Sequence, residues 1–142
     1  MKAESNLGGL LGKASRLLAN EFNNSLSQHQ ITVEQWSLLA VLWIEDGQKQ
    51  KELQSALLKD KATINSLVTN LVKNGFVTKE QDRDDKRSFI ISLSDAGKEM
   101  QKLTIPIAMQ SITKSTIGID MQELQTTTKV LAQIINNLTK EN

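Results

Sequence analysis

The chain has 142 residues, with 17 Lys and Arg against 16 Asp and Glu, one His and no Cys. This length fits one domain that buries roughly 68–70% of its unfolded surface. Without Cys, these residues cannot form disulfides, thiolate zinc sites, iron–sulfur clusters or cysteine redox sensors. No apolar run approaches the roughly 18 residues of a membrane span, and the start has no signal-peptide core. We therefore expect a cytoplasmic protein with no membrane partner.

Positive charge is concentrated in the middle of the chain. Residues 49–87 hold nine basic and six acidic side chains, whereas the remainder holds eight basic and ten acidic ones. This asymmetry favours a basic central surface flanked by a more acidic scaffold. No carboxylate occurs between Lys61 and Lys79. That segment therefore favours a surface that faces a polyanion.

Two amphipathic helices are predicted in the first third of the chain. Apolar residues at three- and four-residue steps from Leu7 to Leu26 predict a first helix within residues 5–28. Thr32 and Gln35 fit a capping box that starts a second helix, and Asp46-Gly47 ends it. The face of this second helix is predicted to consist of Trp36, Leu39, Ala40 and Trp43.

A helix-turn-helix is predicted next. A short helix from Gln50 to Leu58 places Leu53, Ala56 and Leu57 inward. Asp60 is the predicted N-cap of a fourth helix, which ends at Asn74-Gly75. The inward positions of this fourth helix are Ile64, Leu67, Val68 and Leu71.

After the fourth helix, the residue pattern changes from that of helices to that of β-strands. Residues 76–80 and 88–93 are rich in β-branched and aromatic side chains and predict a hairpin around the polar loop 81–87. This loop contains no Gly and no Asn-Gly, so we expect it to be longer and less rigid than a two-residue turn.

Two further helices are predicted after the hairpin. Ser94 can cap a fifth helix, which Pro106 should bend or interrupt. Gly118 marks a break, and Asp120 with Glu123 fits a second capping box. The last helix has the spacing of a helix–helix seam, which favours an intersubunit role over packing inside its own domain. The seam consists of Met121, Leu124, Thr128, Leu131, Ile135 and Leu138.

These elements predict a mostly α fold with a small β-hairpin wing, that is, a winged helix-turn-helix. Opposite the buried side of the fourth helix lie small amide and hydroxyl side chains, which suit base edges and phosphates. The basic side chains of the hairpin loop (Arg83, Lys86 and Arg87) suit a narrow minor groove, where an aspartate could hold an arginine extended. A solvated charged turn is the alternative interpretation of this loop.

Residues 62–98 resemble the multiple-antibiotic-resistance-regulator (MarR) family of bacterial transcription factors. The resemblance is carried by Leu71 to Gly75, by the wing sequence DRDDKR at residues 82–87, and by LSDAG at residues 93–97. It implies a homodimer on a pseudo-palindromic DNA operator. Residues 1–142 would form one domain, with residues 32–93 as the winged helix-turn-helix and residues 5–28 and 94–140 as dimerisation helices.

The resemblance also implies DNA-contacting residues. Arg87 would enter the minor groove with Asp85 as its orienting partner, beside Arg83 and Lys86. Lys49 departs from the capping Ser or Thr common in the family, and Arg83 replaces a frequent proline. The candidate residues of the recognition helix are Lys61, Ala62, Thr63, Asn65, Ser66, Thr69, Asn70 and Lys73.

Many members of the family release DNA when a small aromatic or phenolic anion binds beside the dimer helices. In this chain Arg16 or His29 would supply the polar contact, and no cofactor or metal is expected. A single His disfavours a zinc-sensing site, and the missing Cys excludes thiol-based peroxide sensing. The candidate ligand pocket is Arg16, Leu17, Phe22, His29, Trp36, Ala40, Met100 and Met109.

We therefore expect a homodimeric, ligand-responsive repressor that binds double-stranded DNA. The alternative is a winged-helix module that uses the same basic face to bind an acidic protein. An enzyme is not expected, since no nucleophile–base pair or phosphate-binding Gly loop is visible.

Overall fold

A computed structural model describes residues 6–140 as six α-helices and three short strands, with a single 3₁₀ turn at Ser27–His29. This architecture confirms the predicted mostly α fold with a β-hairpin wing. Residues 1–5 and 141–142, including the ends of the predicted domain and Ser5, lie outside the described residues. In chain order the elements are α1 (Leu7–Leu26), α2 (Val33–Ile44), β1 (Gln48–Lys49), α3 (Gln50–Leu57), α4 (Lys61–Lys73), β2 (Val77–Gln81), β3 (Phe89–Leu93), α5 (Asp95–Ser115) and α6 (Met121–Thr139).

The chain divides into two units, and the division falls inside α5. The first unit ends at Ser111 and contains the helix-turn-helix and the hairpin; the second begins at Ile112 and contains α6. That residues 1–142 form one domain remains a prediction. Among the helices of residues 6–140, none is long and apolar enough to cross a membrane.

The start of α2 confirms the predicted capping box. Thr32 Oγ1 accepts the Gln35 N–H at 3.2 Å, and Gln35 Oε1 accepts the Thr32 N–H at 3.0 Å. The predicted inward face is correct only in part, because Leu38 and Leu42 are fully buried while Trp36, Ala40 and Trp43 are half-buried. Helix α2 carries apolar side chains on most of its surface and packs on several sides, so the spacing of its apolar residues does not identify a single buried face.

Helices α3 and α4 form the predicted helix-turn-helix. Asp60 Oδ1 accepts the Thr63 N–H at 2.7 Å, which confirms this N-cap. In α3 Leu53 is fully buried but Ala56 is exposed, so the inward placement of Ala56 is wrong. Helix α3 begins without a Ser or Thr cap. Instead the Glu52 carboxylate accepts the N–H of Lys49 at 3.1 Å.

The hairpin belongs to a three-stranded antiparallel sheet in the order β1-β3-β2. Val77 lies opposite Leu93 at one end of the hairpin and Gln81 opposite Phe89 at the other. Strand β1 pairs with the other edge of β3 and places Gln48 opposite Ile91. The sequence did not predict β1, because two residues are too few to show a strand period.

The C-terminal helices differ from the prediction at two points. Helix α5 continues through Pro106, so the predicted interruption did not occur. Pro106 and Lys102 are both exposed, and water can bind the carbonyl that Pro106 leaves without a donor. Asp120 is the N-cap of α6 but makes no side-chain capping bond, so the second capping box is wrong. The break at Gly118 is confirmed by its φ of 81°.

Helix α5 approaches the hairpin closely at Gly97. Its carbonyl oxygen accepts the Trp43 Nε1–H at 2.9 Å, which joins α5 to α2. A Cβ at this position would overlap the carbonyl oxygen of Phe76 and lie 3.2 Å from Leu93 Cδ2. Only glycine therefore permits this packing.

We predict that Gly97→Ala lowers the free energy of unfolding by about 1–3 kcal/mol, since the backbone of residue 76 must move. Gly8→Ala is the matched control, because a Cβ there has no neighbour within 4 Å. Urea denaturation of both variants measures the effect. Equal midpoints for Gly97→Ala and the wild type would show that the close approach is not a constraint.

Candidate nucleic-acid interface

A groove of about 390 Å³ lies between the start of α3, helix α4 and the hairpin. We call it the basic groove, and we call residues 77–93 the wing. The lining of the basic groove carries five cationic side chains and no carboxylate. It therefore attracts an extended anion. The lining residues are Lys49, Gln50, Lys51, Gln54, Lys61, Asn65, Lys79, Arg87, Ser88 and Phe89.

Helix α4 presents its polar side next to this groove. Ile64, Val68 and Leu71 are buried on the opposite side. Of the eight residues of α4 predicted to contact DNA, Lys61 and Asn65 line the groove. Thr63, like Asn65, is half-buried. The remaining five lie on the exposed surface of α4; they are Ala62, Ser66, Thr69, Asn70 and Lys73.

The cap of α4 is held in its charged form. Hydrogen bonds from the side chain and the backbone N–H of Thr63 lower the pKa of Asp60. A carboxylate at a helix N-terminus also interacts favourably with the helix dipole. The start of the candidate recognition helix is therefore fixed at neutral pH.

Hydrogen bonds to aspartates organise the wing loop. Asp82 Oδ1 accepts the N–H of Asp84, and Asp85 Oδ1 accepts the N–H of Arg87, each at 3.0 Å. Across the base of the loop, the Asp82 N–H donates to Ser88 O at 2.9 Å. Asp side chains thus supply the turn bonds in a loop that has no glycine.

The side chain of Arg87 projects into solvent from this loop. It is 94% exposed, and its Nε lies 3.5 Å from Asp85 Oδ1. The structure thus brings the predicted pair into contact, while Arg83 and Lys86 are exposed elsewhere on the loop. The carboxylate of Asp85 is anchored chiefly by the Arg87 backbone N–H, which lowers its pKa.

Sequence reasoning missed the part of the groove that β1 and α3 contribute. Lys49, Gln50, Lys51 and Gln54 all line it. The Nζ of Lys49 lies 3.4 Å from Asp82 Oδ2, which links β1 to the wing. The basic and amide composition of residues 49–54 was the available signal. Its meaning depends on the pairing of β1 with β3, which the sequence did not predict.

Lys79 lies on the wing and lines the basic groove. Its Nζ lies 4.6 Å from the centroid of the Phe89 ring, so the aromatic ring helps to hold the ammonium at the groove.

The residues of the predicted ligand pocket are distributed between core and surface. The rings of Phe22 and Trp36 pack edge to face with centroids 5.0 Å apart, and Trp36 Nε1 donates to Thr104 Oγ1 at 2.8 Å. Met100 is buried in the same core. Ala40 and His29 are half-buried, whereas Arg16, Leu17 and Met109 are exposed. A ligand pocket formed by these residues stays a prediction.

A helix-turn-helix with a basic groove beside a β-hairpin wing defines the class of winged-helix regulators that bind nucleic acid. Residues 31–89 match the model of the MarR family. The chain belongs to this family of transcriptional regulators, whose members act by binding DNA and are not enzymes.

Named relatives agree with this assignment. The chain is 25% identical over 138 residues to the organic hydroperoxide resistance transcriptional regulator of Bacillus subtilis. This alignment covers 96% of this chain and 93% of that protein. It is 33% identical over 88 residues to the HTH-type transcriptional regulator TtmR of Methylorubrum extorquens, covering 62% of this chain. That match spans only 45% of the length of TtmR.

A solved structure of reduced AbfR bound to DNA is similar over 96% of this chain and 94% of the AbfR chain. The TM-score is 0.77 and the sequence identity 26%. A protein with this fold has therefore been seen with DNA.

We predict that the Asp85 carboxyl titrates below the ordinary Asp value of 3.8. Because its pKa is lowered on folding, the charged form stabilises the wing turn above pH 3.8, and this contribution is lost as pH falls through the lowered pKa. Carboxyl chemical shifts from NMR measure it. In Arg87→Ala the midpoint should stay low, since the backbone N–H is the main cause. A midpoint at or above 3.8 in the wild type would contradict the turn geometry.

Proposed function

We propose that this chain is a sequence-specific regulator that binds double-stranded DNA as a homodimer and represses transcription from a pseudo-palindromic operator. Helix α4 enters the major groove, and Arg87 on the wing reaches the adjacent minor groove. The basic groove is the observation that carries this proposal, since five cations without a carboxylate lie beside a helix face of small polar side chains. Such a surface suits phosphates on one side and base edges on the other.

The roles of the α4 residues follow from their chemistry. Asn65, Ser66, Thr69 and Asn70 offer amide and hydroxyl groups to base edges, and the methyl group of Ala62 suits a thymine methyl. The lysines at both ends of α4, Lys61 and Lys73, would contact phosphates.

The proposed homodimer is supported by apolar side chains that the single chain leaves exposed. In α1 Leu7, Leu10 and Leu17 are 46–70% exposed. In the second unit, Ile135 is 54% and Leu138 81% exposed, although both follow the spacing of a helix–helix seam. A second copy of the chain is the partner that MarR-family resemblance implies for these faces.

Regulation by a small aromatic or phenolic ligand is part of the same proposal. The aromatic cluster of Phe22, Trp36 and Trp43 lies between α1 and α2, with Trp36 and Trp43 5.7 Å apart. Trp36 is hydrogen-bonded to Thr104 of α5 and Trp43 to Gly97 of the same helix. An aromatic ligand packed against this cluster would change how α5 sits on the helix-turn-helix.

We predict that Arg87→Ala weakens binding to DNA from the protein's own upstream region by about 1–3 kcal/mol. The slope of log K against log salt should fall by about one unit, because one cationic contact is lost. Fluorescence anisotropy at several salt concentrations measures both quantities.

Lys102→Ala is the matched control, since it removes an equal charge from an exposed position on α5 outside the basic groove. Wild-type affinity in Arg87→Ala, or an equal loss in both variants, would contradict the placement of Arg87 on DNA.

We predict that Ile135→Glu converts the dimer to monomers, because a carboxylate would be buried without a partner at the seam. Asn136→Glu places the same charge on the neighbouring exposed position of α6 and should leave the dimer intact. Sedimentation equilibrium gives the mass of each variant. A monomeric wild type would refute the homodimer, and a dimeric Ile135→Glu would refute this seam.

A further inference from the structure

Asn65 differs from its neighbours on the polar side of α4. It is half-buried, whereas Ser66 and Thr69 are exposed. Its Oδ1 accepts a hydrogen bond from Nε2 of Gln50, the first residue of α3. Both side chains line the basic groove. The bond therefore joins the two helices of the helix-turn-helix at the surface proposed to face DNA.

This bond restricts what the Asn65 amide can offer to a base. A free Asn amide presents one acceptor and one donor together, which matches N6 and N7 of adenine. Gln50 takes one of the two lone pairs of Oδ1 and so fixes the orientation of the amide, which leaves the NH₂ group of Asn65 as the group that meets DNA. An NH₂ donor matches the acceptors of the major groove, which are N7 and O6 of guanine, N7 of adenine and O4 of thymine, whereas cytosine offers only its N4 amino group, a donor.

We propose that Gln50 is a specificity-determining residue. By holding Oδ1 of Asn65, it makes the pair discriminate against cytosine, the one base without a major-groove acceptor, at one position of each operator half-site. The inference rests on the proposed DNA-binding function and deepens it. Gln50 acts through Asn65, so substitutions at Gln50 change which base is preferred as well as how tightly DNA is bound.

The test uses the full chain and a set of duplexes derived from its upstream region. Each base pair protected by the wild type is replaced in turn by the other three, and relative affinities are measured by competition. In Gln50→Leu the Asn65 amide is free to pair with adenine. Its Oδ1 can also accept from N4 of cytosine, so the discrimination against cytosine should fall about five- to tenfold at one position of each half-site, with the other positions unchanged.

A second variant reverses the polarity of the pair. In Gln50→Glu the carboxylate can only accept, so it should bind the NH₂ group of Asn65 and leave Oδ1 for DNA. The preference should move to adenine or cytosine, whose amino groups donate. The added negative charge should lower affinity for all duplexes equally. In an Asn65→Ala background, neither substitution at Gln50 should alter the base preference.

Gln101→Leu is the matched control, since Gln101 is an exposed glutamine on α5 outside the basic groove. It should leave the preference at every position unchanged, and circular dichroism verifies that each variant is folded. If the wild type does not distinguish its upstream DNA from a random duplex, the proposed function fails. If the wild type does distinguish it and both Gln50 variants keep the wild-type profile, this inference is overturned and the proposed function stands.

Discussion

The rotation of α4 about its own axis is fixed by Ile64, Val68 and Leu71, which are at most 1% exposed and pack in the core with α2 and α3. Burying each of these side chains contributes about 1.5–3 kcal/mol, so turning the helix to expose them would cost a large part of the stability of a small domain. The opposite side of α4 must then carry its amide, hydroxyl and small side chains outward. Every role proposed for this helix depends on that orientation.

The position of the wing depends on a different set of contacts. Strand β1 pairs with β3, and the Lys49–Asp82 ion pair adds a link at the base of the loop. These contacts place the wing beside the start of α3 and so create the basic groove. Five of the nine basic side chains of residues 49–87 line this groove, which explains how a chain with a net charge of +1 can present a basic surface.

Most of the local interactions were predicted well from the sequence, although the capping box at Asp120 was not found. The caps at Thr32 and Asp60 and the helix end at Gly75 depend on residues within a few positions of each other, and all three were found as predicted. Strand β1 and the Gln50–Asn65 contact depend on packing between segments, for which a single sequence carries no local pattern. Gly97 belongs to the LSDAG stretch that carries the family resemblance, but its role became clear only when its distance to Phe76 was known.

The central claim is that the basic groove and α4 together recognise a particular DNA sequence. The most direct measurement is a titration of the protein with its own upstream region and with a random duplex of equal length, each at two salt concentrations. The account predicts tighter binding to the upstream region at both concentrations and a steep loss of affinity with salt for both duplexes. Equal affinity for the two duplexes would contradict it and would favour a winged-helix module that binds an acidic protein.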